Sequence, residues 1–221
     1  MKIVKLATSA VMASLISVAA LAQANDSLTH GSVQGTSEPG NQTGSENASA
    51  PFGVPVGQSV NKLQIVKEIK KHIYVISPPN PNAQFVLYMA VATKEQGVCK
   101  IVAVTEKNND DQGGDGVRGI INSISAALEN KYGKSKLYSF VSPKSVLADN
   151  DRWAWSIANG DRTYARIWTK EVGSSMPIDI SSIFIQAQAE PTRTTTANLT
   201  YEFANFEACQ SVLKKVDASN L

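Results

Sequence analysis

The sequence predicts an α+β domain with a mostly antiparallel sheet and with helices packed on one face of that sheet. Three observations predict this fold. Apolar stretches typical of strands fall into two groups. Helical patterns precede, separate and follow these groups, which does not match a regular βαβ order. Short glycine-containing connections join neighbouring strands as hairpins. A flavodoxin-like α/β fold is the alternative.

The first predicted element of the domain is a helix. Ser59 is suited to cap a helix from Val60 to about Lys70, in which Leu63, Val66 and Ile69 would face inward. The elements expected next are strands at 73–76, 84–92 and 98–106, the last two joined by a hairpin connection at 94–97.

The clearest helical pattern lies in the middle of the domain. Asp115 starts this helix, and apolar residues recur at helical spacing from Val117 to Tyr132. Gly133 follows as a C-terminal stop. The elements expected later are strands at 163–169, 178–187 and 197–203 and a last helix at 206–216.

The N-terminus has the features of a cleavable secretory signal peptide. Lys2 and Lys5 form a positively charged start, and Leu6–Leu21 is apolar and uncharged. Ala22-Gln23-Ala24 matches the small-residue pattern of a cleavage site. The apolar stretch is shorter than the roughly 20 residues of a membrane span, although an uncleaved anchor is the alternative. We expect cleavage after Ala24 and a periplasmic or secreted, soluble mature chain without a membrane span.

Composition divides the remaining chain into two parts. Residues 25–50 are rich in Ser, Gly, Asn and Thr and predict a disordered leader, with a partner-docking tail as the alternative. Residues 51–221 are predicted to form a single globular domain. Removing residues 1–24 takes away two lysines and no acids, so the net charge falls from +2 to about zero. Nucleic-acid-binding proteins usually carry a basic excess, so we expect no nucleic-acid partner.

The two cysteines are the first candidate pair. Cys99 lies on a predicted strand and Cys209 on the apolar face of the last helix. In an oxidising compartment, two cysteines in one domain usually pair. We therefore predict a structural disulfide that pins the last helix to the sheet, with two free buried thiols as the alternative.

No motif predicts catalysis, a metal or a cofactor. His72 is the one histidine of the domain and follows two lysines, which favours a solvated surface position. The acidic cluster at 109–116 lacks the ligand spacing of an EF-hand loop. We interpret this cluster as an exposed loop with a helix cap.

Trp153 and Trp155 are the predicted binding residues. In a strand, two indoles at this spacing would share one face. Exposed, they would form a platform for a sugar ring or a protein partner. Buried, they would belong to the core, and the secondary structure of residues 151–159 is left open.

Short motifs resemble those of small exported bacterial domains of unassigned function. Residues 52–59 read F-G-x-x-x-G-x-S before a predicted helix, and residues 128–134 read Leu-x-x-Lys-Tyr-Gly-Lys. The positions of Cys99 and Cys209 also fit the cysteine placement of such domains. The resemblance covers about a fifth of the chain and implies no functional residues.

The sequence favours a non-enzymatic binding module with an envelope or secreted protein as partner. An inhibitor, an immunity-type protein and an envelope accessory factor all fit. One alternative is a carboxylate-dependent hydrolase of cell-wall carbohydrate, which needs two carboxylates about 5–9 Å apart. Its candidate residues would be Asp149, Asp151, Asp161 and Glu171. The other alternative is a structural envelope subunit, which an exposed strand edge would indicate.

Overall fold

The described residues fold around one antiparallel sheet. A computed structural model describes residues 49–143, 145, 150–191 and 193–218, all of which belong to one compact unit. Its strands are β1 (Ile65–Lys70), β2 (Ile73–Ile76), β3 (Phe85–Thr93), β4 (Gly97–Thr105), β5 (Lys136–Val141), β6 (Arg162–Trp168), β7 (Ile180–Ala189) and β8 (Thr195–Phe203). Its α-helices are α1 (Asp115–Tyr132), α2 (Trp153–Ala158) and α3 (Phe206–Ala218). The predicted signal peptide and leader residues 25–48 lie outside the described residues.

The sheet consists of two consecutive four-strand meanders. The strand order is β1-β2-β3-β4-β8-β7-β6-β5, and every pairing is antiparallel. The β4–β8 pair joins the two meanders at the centre. Within the described part of the chain, β1 and β5 are therefore the edge strands. The predicted mostly antiparallel sheet is confirmed.

One face of the sheet, here called the core face, packs against α1 and α2. Apolar residues of α1 recur at helical spacing and are buried in the main core. They are Val117, Ile121, Ile124, Leu128 and Tyr132. Burying side chains of this size stabilises the fold by about 1.5–3 kcal/mol each. The central part of the sheet is therefore held by α1, as its sequence pattern predicts.

The third helix packs on the opposite face, here called the reverse face. Ile101 of β4 and Tyr201 of β8 are register partners in the main core. Their chain neighbours Lys100 and Glu202 are also partners, so these two side chains lie on the reverse face. The Lys100 ammonium lies 5.0 Å from the ring of Phe206 in α3. The prediction that the helices share one face is thus not confirmed.

Two local predictions differ from the structure. The helix expected from Val60 to about Lys70 is wrong, because a short 3₁₀ turn at Val60–Lys62 is followed by strand β1. The β-branched residues Ile65, Val66 and Ile69 favour a strand, and the turn at His72 (φ 70°) leads this segment back along β2. Strand β5 was not predicted at all. It now forms one edge of the sheet.

The predicted disulfide is confirmed. Cys99 and Cys209 are bonded, with their Cα atoms 6.4 Å apart. Cys99 lies where the β3–β4 register shifts, and both cysteines are fully buried with Val91. The bond fastens α3 to the reverse face of the sheet.

Candidate functional site

Trp153 is a core residue. Its side chain is 1 % exposed and packs edge-on against Tyr164, with ring centroids 6.0 Å apart. The guanidinium groups of Arg118 and Arg162 lie 5.1 Å and 5.9 Å from the indole. The Arg162 Nε–H also donates to the Ser156 hydroxyl at 2.8 Å. Trp153 therefore connects α1, α2 and β6 and is not available to a ligand.

Trp155 does not share a face with Trp153. The two residues belong to α2, where an advance of two residues turns the side chain by about 200°. Trp155 is consequently 47 % exposed, whereas Trp153 is buried. The expectation of a shared strand face is wrong because the segment is helical. A platform of two adjacent indoles does not form, and of the pair Trp155 is the exposed residue.

The acidic loop before α1 is organised by Asp111. Its carboxylate accepts hydrogen bonds from the Gly116 and Val117 N–H groups, both at 2.9 Å, and from the Thr195 hydroxyl at 2.7 Å. Burial by itself raises the pKa of this carboxyl, but these hydrogen bonds and one from Asn108 outweigh it and lower the pKa. Asp111 thus caps α1 and ties its start to β8.

The loop contains the expected helix cap but differs from the expectation in its exposure. Asp111 is 8 % exposed, so the capping residue is buried rather than part of an exposed loop. Asp115 is the first residue of α1, as expected, and forms an exposed ion pair with Arg118 at 2.5 Å. Within the described residues, no group of three or more His, Cys, Asp or Glu side chains could hold a metal ion.

The acidic loop before α1 and the tryptophan-containing helix α2 contact each other. Gly114 precedes α1 with φ 73°, and a Cβ atom there would lie 2.1 Å from the Trp153 ring. The Ala154 N–H donates to the Gln112 carbonyl at 2.9 Å. Glycine is needed at this position both for its backbone angle and for space. Both clusters therefore serve the packing at the start of α1.

An open groove lies between the start of β3, the end of β4 and α1. Its volume is about 440 Å³, and its lining residues are Ala83, Gln84, Thr105, Glu106, Gly119, Ile120 and Ser123. Glu106 is the one titratable side chain among them. General acid–base catalysis by a pair of groups needs two such side chains, so this groove does not carry the hydrolase alternative.

Of the carboxylates proposed for a hydrolase, Asp161 and Glu171 make local hydrogen bonds. Asp149 lies outside the described residues. Asp161 accepts a hydrogen bond from the Ser145 hydroxyl at 2.9 Å. A hydrogen bond from Thr169 lowers the pKa of exposed Glu171. Neither these two nor Asp151 lines the groove.

Edge strand β1 carries several features that hinder pairing with another strand. Its exposed residues are the apolar Ile65 and Val66 and the charged Lys67, Glu68 and Lys70. Its register with β2 shifts twice, and exposed Val66 lies at the first of these shifts. Lysines and bulges are the devices by which natural proteins protect sheet edges. We refer to β1 as the charged edge.

Edge strand β5 has less of this protection, because its one lysine, Lys136, is its first residue. It pairs with β6 in a regular register over all six residues. Leu137, Tyr138 and Phe140 are 44 %, 42 % and 59 % exposed, and the strand contains no acidic residue. Tyr138 and Phe140 share the reverse face, because side chains alternate along a strand. We refer to β5 as the apolar edge.

The hydrogen bond made by Ser142, the residue after β5, shows which backbone groups of β5 bond to β6. The Ser142 N–H donates to the Asp161 carbonyl at 2.7 Å. Because hydrogen-bonded pairs alternate in an antiparallel ladder, the even-numbered residues of β5 bond to β6. The backbone groups of Leu137, Ser139 and Val141 therefore point outward. No described strand pairs with them.

Sequence reasoning missed this edge. The segment Leu-Tyr-Ser-Phe-Val lies between Gly133 and Pro143 and is rich in strand-forming residues, which was a usable signal.

Comparisons of the chain with protein-family models, with curated proteins and with solved structures find no match. The candidate site therefore rests on the geometry of β5.

Proposed function

We propose that this protein is an exported, non-enzymatic binding module that holds an extended segment of an envelope or secreted protein along β5. The observation that carries the proposal is the apolar edge, with its outward backbone groups and three exposed large side chains. An added strand gains backbone hydrogen bonds from such an edge and specificity from alternate side chains. Trp155 is not needed for this binding mode.

The contrast between the two edges supports the proposal. An unprotected strand edge invites pairing with other chains, and β1 carries lysines and register shifts that oppose it. By contrast, β5 keeps a regular register, exposes three large apolar side chains and has a single lysine at its start. Of the two edges, β5 is therefore the one better suited to pair with a segment of another protein.

Export is part of the proposal. The signal-like N-terminus predicts cleavage after Ala24, and the Cys99–Cys209 disulfide fits an oxidising compartment. No helix in the described part of the chain is long and apolar enough to cross a membrane. The signal-like N-terminus and the disulfide support a periplasmic or secreted location.

A structural envelope subunit is the second candidate, because an exposed edge also favours it. A growing sheet needs two compatible edges, and β1 is poorly suited to receive β5 of another copy. Pairing of β5 with β5 would instead close into a dimer. Sedimentation of the purified domain separates these states by mass, and the binding module is expected to be a monomer.

The test uses short random peptides displayed on phage and selected on the immobilised domain, with affinities then measured by fluorescence anisotropy. Ser139→Pro removes an outward N–H without removing a bond to β6, so we expect it to weaken binding by about tenfold or more. Circular dichroism and the melting temperature should stay close to those of the wild type.

A matched pair of substitutions distinguishes a specific loss of binding from local unfolding. Phe140→Ser and Val86→Ser each remove a large exposed apolar side chain, 59 % and 64 % exposed respectively. Only Phe140→Ser should weaken the selected peptides. Peptides that bind both variants and Ser139→Pro as tightly as the wild type would show that β5 is not the binding edge.

A further inference from the structure

We infer that the segment bound by β5 is acidic, with a carboxylate that meets Lys136 and apolar residues that cover Tyr138 and Phe140. This inference rests on the proposed function of β5 and names the chemistry of its partner. It does not follow from the overall charge, which is near zero for the mature chain. It follows from the local charge around the apolar edge.

The apolar edge lies in a basic part of the surface. Residues 134–142 contain Lys134 and Lys136 and no acid. Arg162 and Arg166 of β6 lie on the core face, toward Trp153 and Glu129, and are not part of this surface. Lys134 and Lys136 are both exposed. Within the described residues, neither of these lysines forms an ion pair.

The nearby carboxylates are already engaged. Glu129 of α1 accepts a hydrogen bond from Ser135 at 2.5 Å and lies 3.4 Å from Arg166. These contacts lower the pKa of Glu129, with the Ser135 hydrogen bond as the largest cause, so it is ionised at neutral pH. Asp161 lies beside Ser142, at the opposite end of β5 from Lys136. The positive charge at the start of β5 is therefore left for an incoming group.

Strand geometry places that incoming group. Directly opposed residues of paired strands have Cβ atoms about 4.5–5.5 Å apart. The Lys136 ammonium lies 5.1 Å from the Tyr138 ring on the reverse face. A carboxylate opposite Lys136 would form a charge-assisted hydrogen bond. Apolar residues two and four positions along would cover Tyr138 and Phe140.

The same charges argue against a second copy as the occupant. Residues 134–142 carry two lysines and no carboxylate. Antiparallel self-pairing of β5 would add the lysines of one copy to those of the other without any acid to meet them. Charge complementarity thus favours a foreign, acidic segment.

The experiment compares three labelled, blocked peptides that differ only at their ends. Their sequence is X-Thr-Phe-Thr-Phe-Thr-X, where X is Glu, Gln or Lys, so either strand direction presents the same pattern. We expect the Glu peptide to bind most tightly and the Lys peptide least. At low salt the difference should be about fivefold or more, and it should shrink as salt screens the charges.

Charge reversal on the protein is the decisive control. Lys136→Glu should invert the order of the three peptides, whereas Lys67→Glu on the charged edge should leave it unchanged. Equal affinities for all three peptides, together with loss of binding in Ser139→Pro, would overturn this inference and leave the proposed function standing.

The remaining outcomes are equally informative. If none of the three peptides binds, and the phage-selected peptides bind Ser139→Pro as tightly as the wild type, the proposed function fails as well. A concentration-dependent dimer that Ser139→Pro abolishes would identify a second copy as the occupant and overturn the inference. A monomer that binds the Glu peptide through Lys136 would support it.

Discussion

The charged edge and the apolar edge lie at opposite ends of the same sheet and differ in register and side chains. The charged edge β1 exposes lysines and shifts register twice against β2. The apolar edge β5 keeps a regular register and exposes Leu137, Tyr138 and Phe140. Since both strands have the same backbone chemistry, the side chains and register decide which edge can accept another strand. The comparison locates a candidate site in a chain that has no catalytic motif.

The two halves of the sheet are also supported differently. The half that ends at the apolar edge rests on α1 and α2, with Trp153 packed between Tyr164 and two guanidinium groups. The half that ends at the charged edge is fastened through β4 to α3 by the disulfide. One support is therefore noncovalent packing and the other is covalent.

The largest expected effect comes from removing the packing behind the apolar edge. Trp153→Ala should lower the free energy of unfolding by about 3–5 kcal/mol, because a fully buried indole is replaced by a cavity. Trp155→Ala on the same helix should change it by less than about 1 kcal/mol, since this side chain is half exposed. Urea titration followed by circular dichroism measures both values. Similar losses in the two variants would contradict the assignment of Trp153 alone to the core.

The second effect concerns the covalent support. Replacing Cys99 and Cys209 together by Ser should lower the free energy of unfolding by about 2–4 kcal/mol, because the unfolded chain regains the freedom of a long loop. The oxidised wild type should show a mass two daltons below that of the reduced chain. A double variant that melts with the wild type would show that packing alone holds α3.

The smallest effect on stability is expected at the charged edge. Lys67→Val with Lys70→Val should change the free energy of unfolding by less than about 0.5 kcal/mol, because both side chains are exposed. The variant should nevertheless self-associate, since β1 then becomes apolar as β5 is. Light scattering across a concentration series measures this. A variant that stays monomeric would assign the protection of β1 to its register shifts alone.

Much of the sheet was predictable from sequence, because β3 and β4 are largely apolar, β8 alternates between apolar and polar residues, and α1 has a clear helical period. The predictions for β1 and β5 failed for a shared reason. Both are edge strands with apolar and polar residues on both faces, so burial imposes no regular alternation on them. The spacing of Leu63, Val66 and Ile69 then resembled a helix by coincidence.

The candidate site was less predictable than the fold. The Trp153–Trp155 pair drew attention by composition, but local helix geometry separates the two indoles. Asp111 could not be singled out within its acidic loop, because its role depends on Thr195, which is distant in sequence. The exposure of β5 depends on strand order, which is a property of the whole chain. The paired cysteines were predictable because the sequence has only two, one on a predicted strand and one on the apolar face of a predicted helix.

The bond between Cys99 and Cys209 closes a ring of the chain with a sequence separation of 110 residues. That ring contains α1, α2 and the whole second meander, including the strand proposed to bind a partner. A protease that cuts one peptide bond inside the ring therefore releases no fragment, because both new ends stay linked through sulfur. Such a nicked molecule keeps its intact mass apart from one added water, and only a reducing agent separates its two pieces.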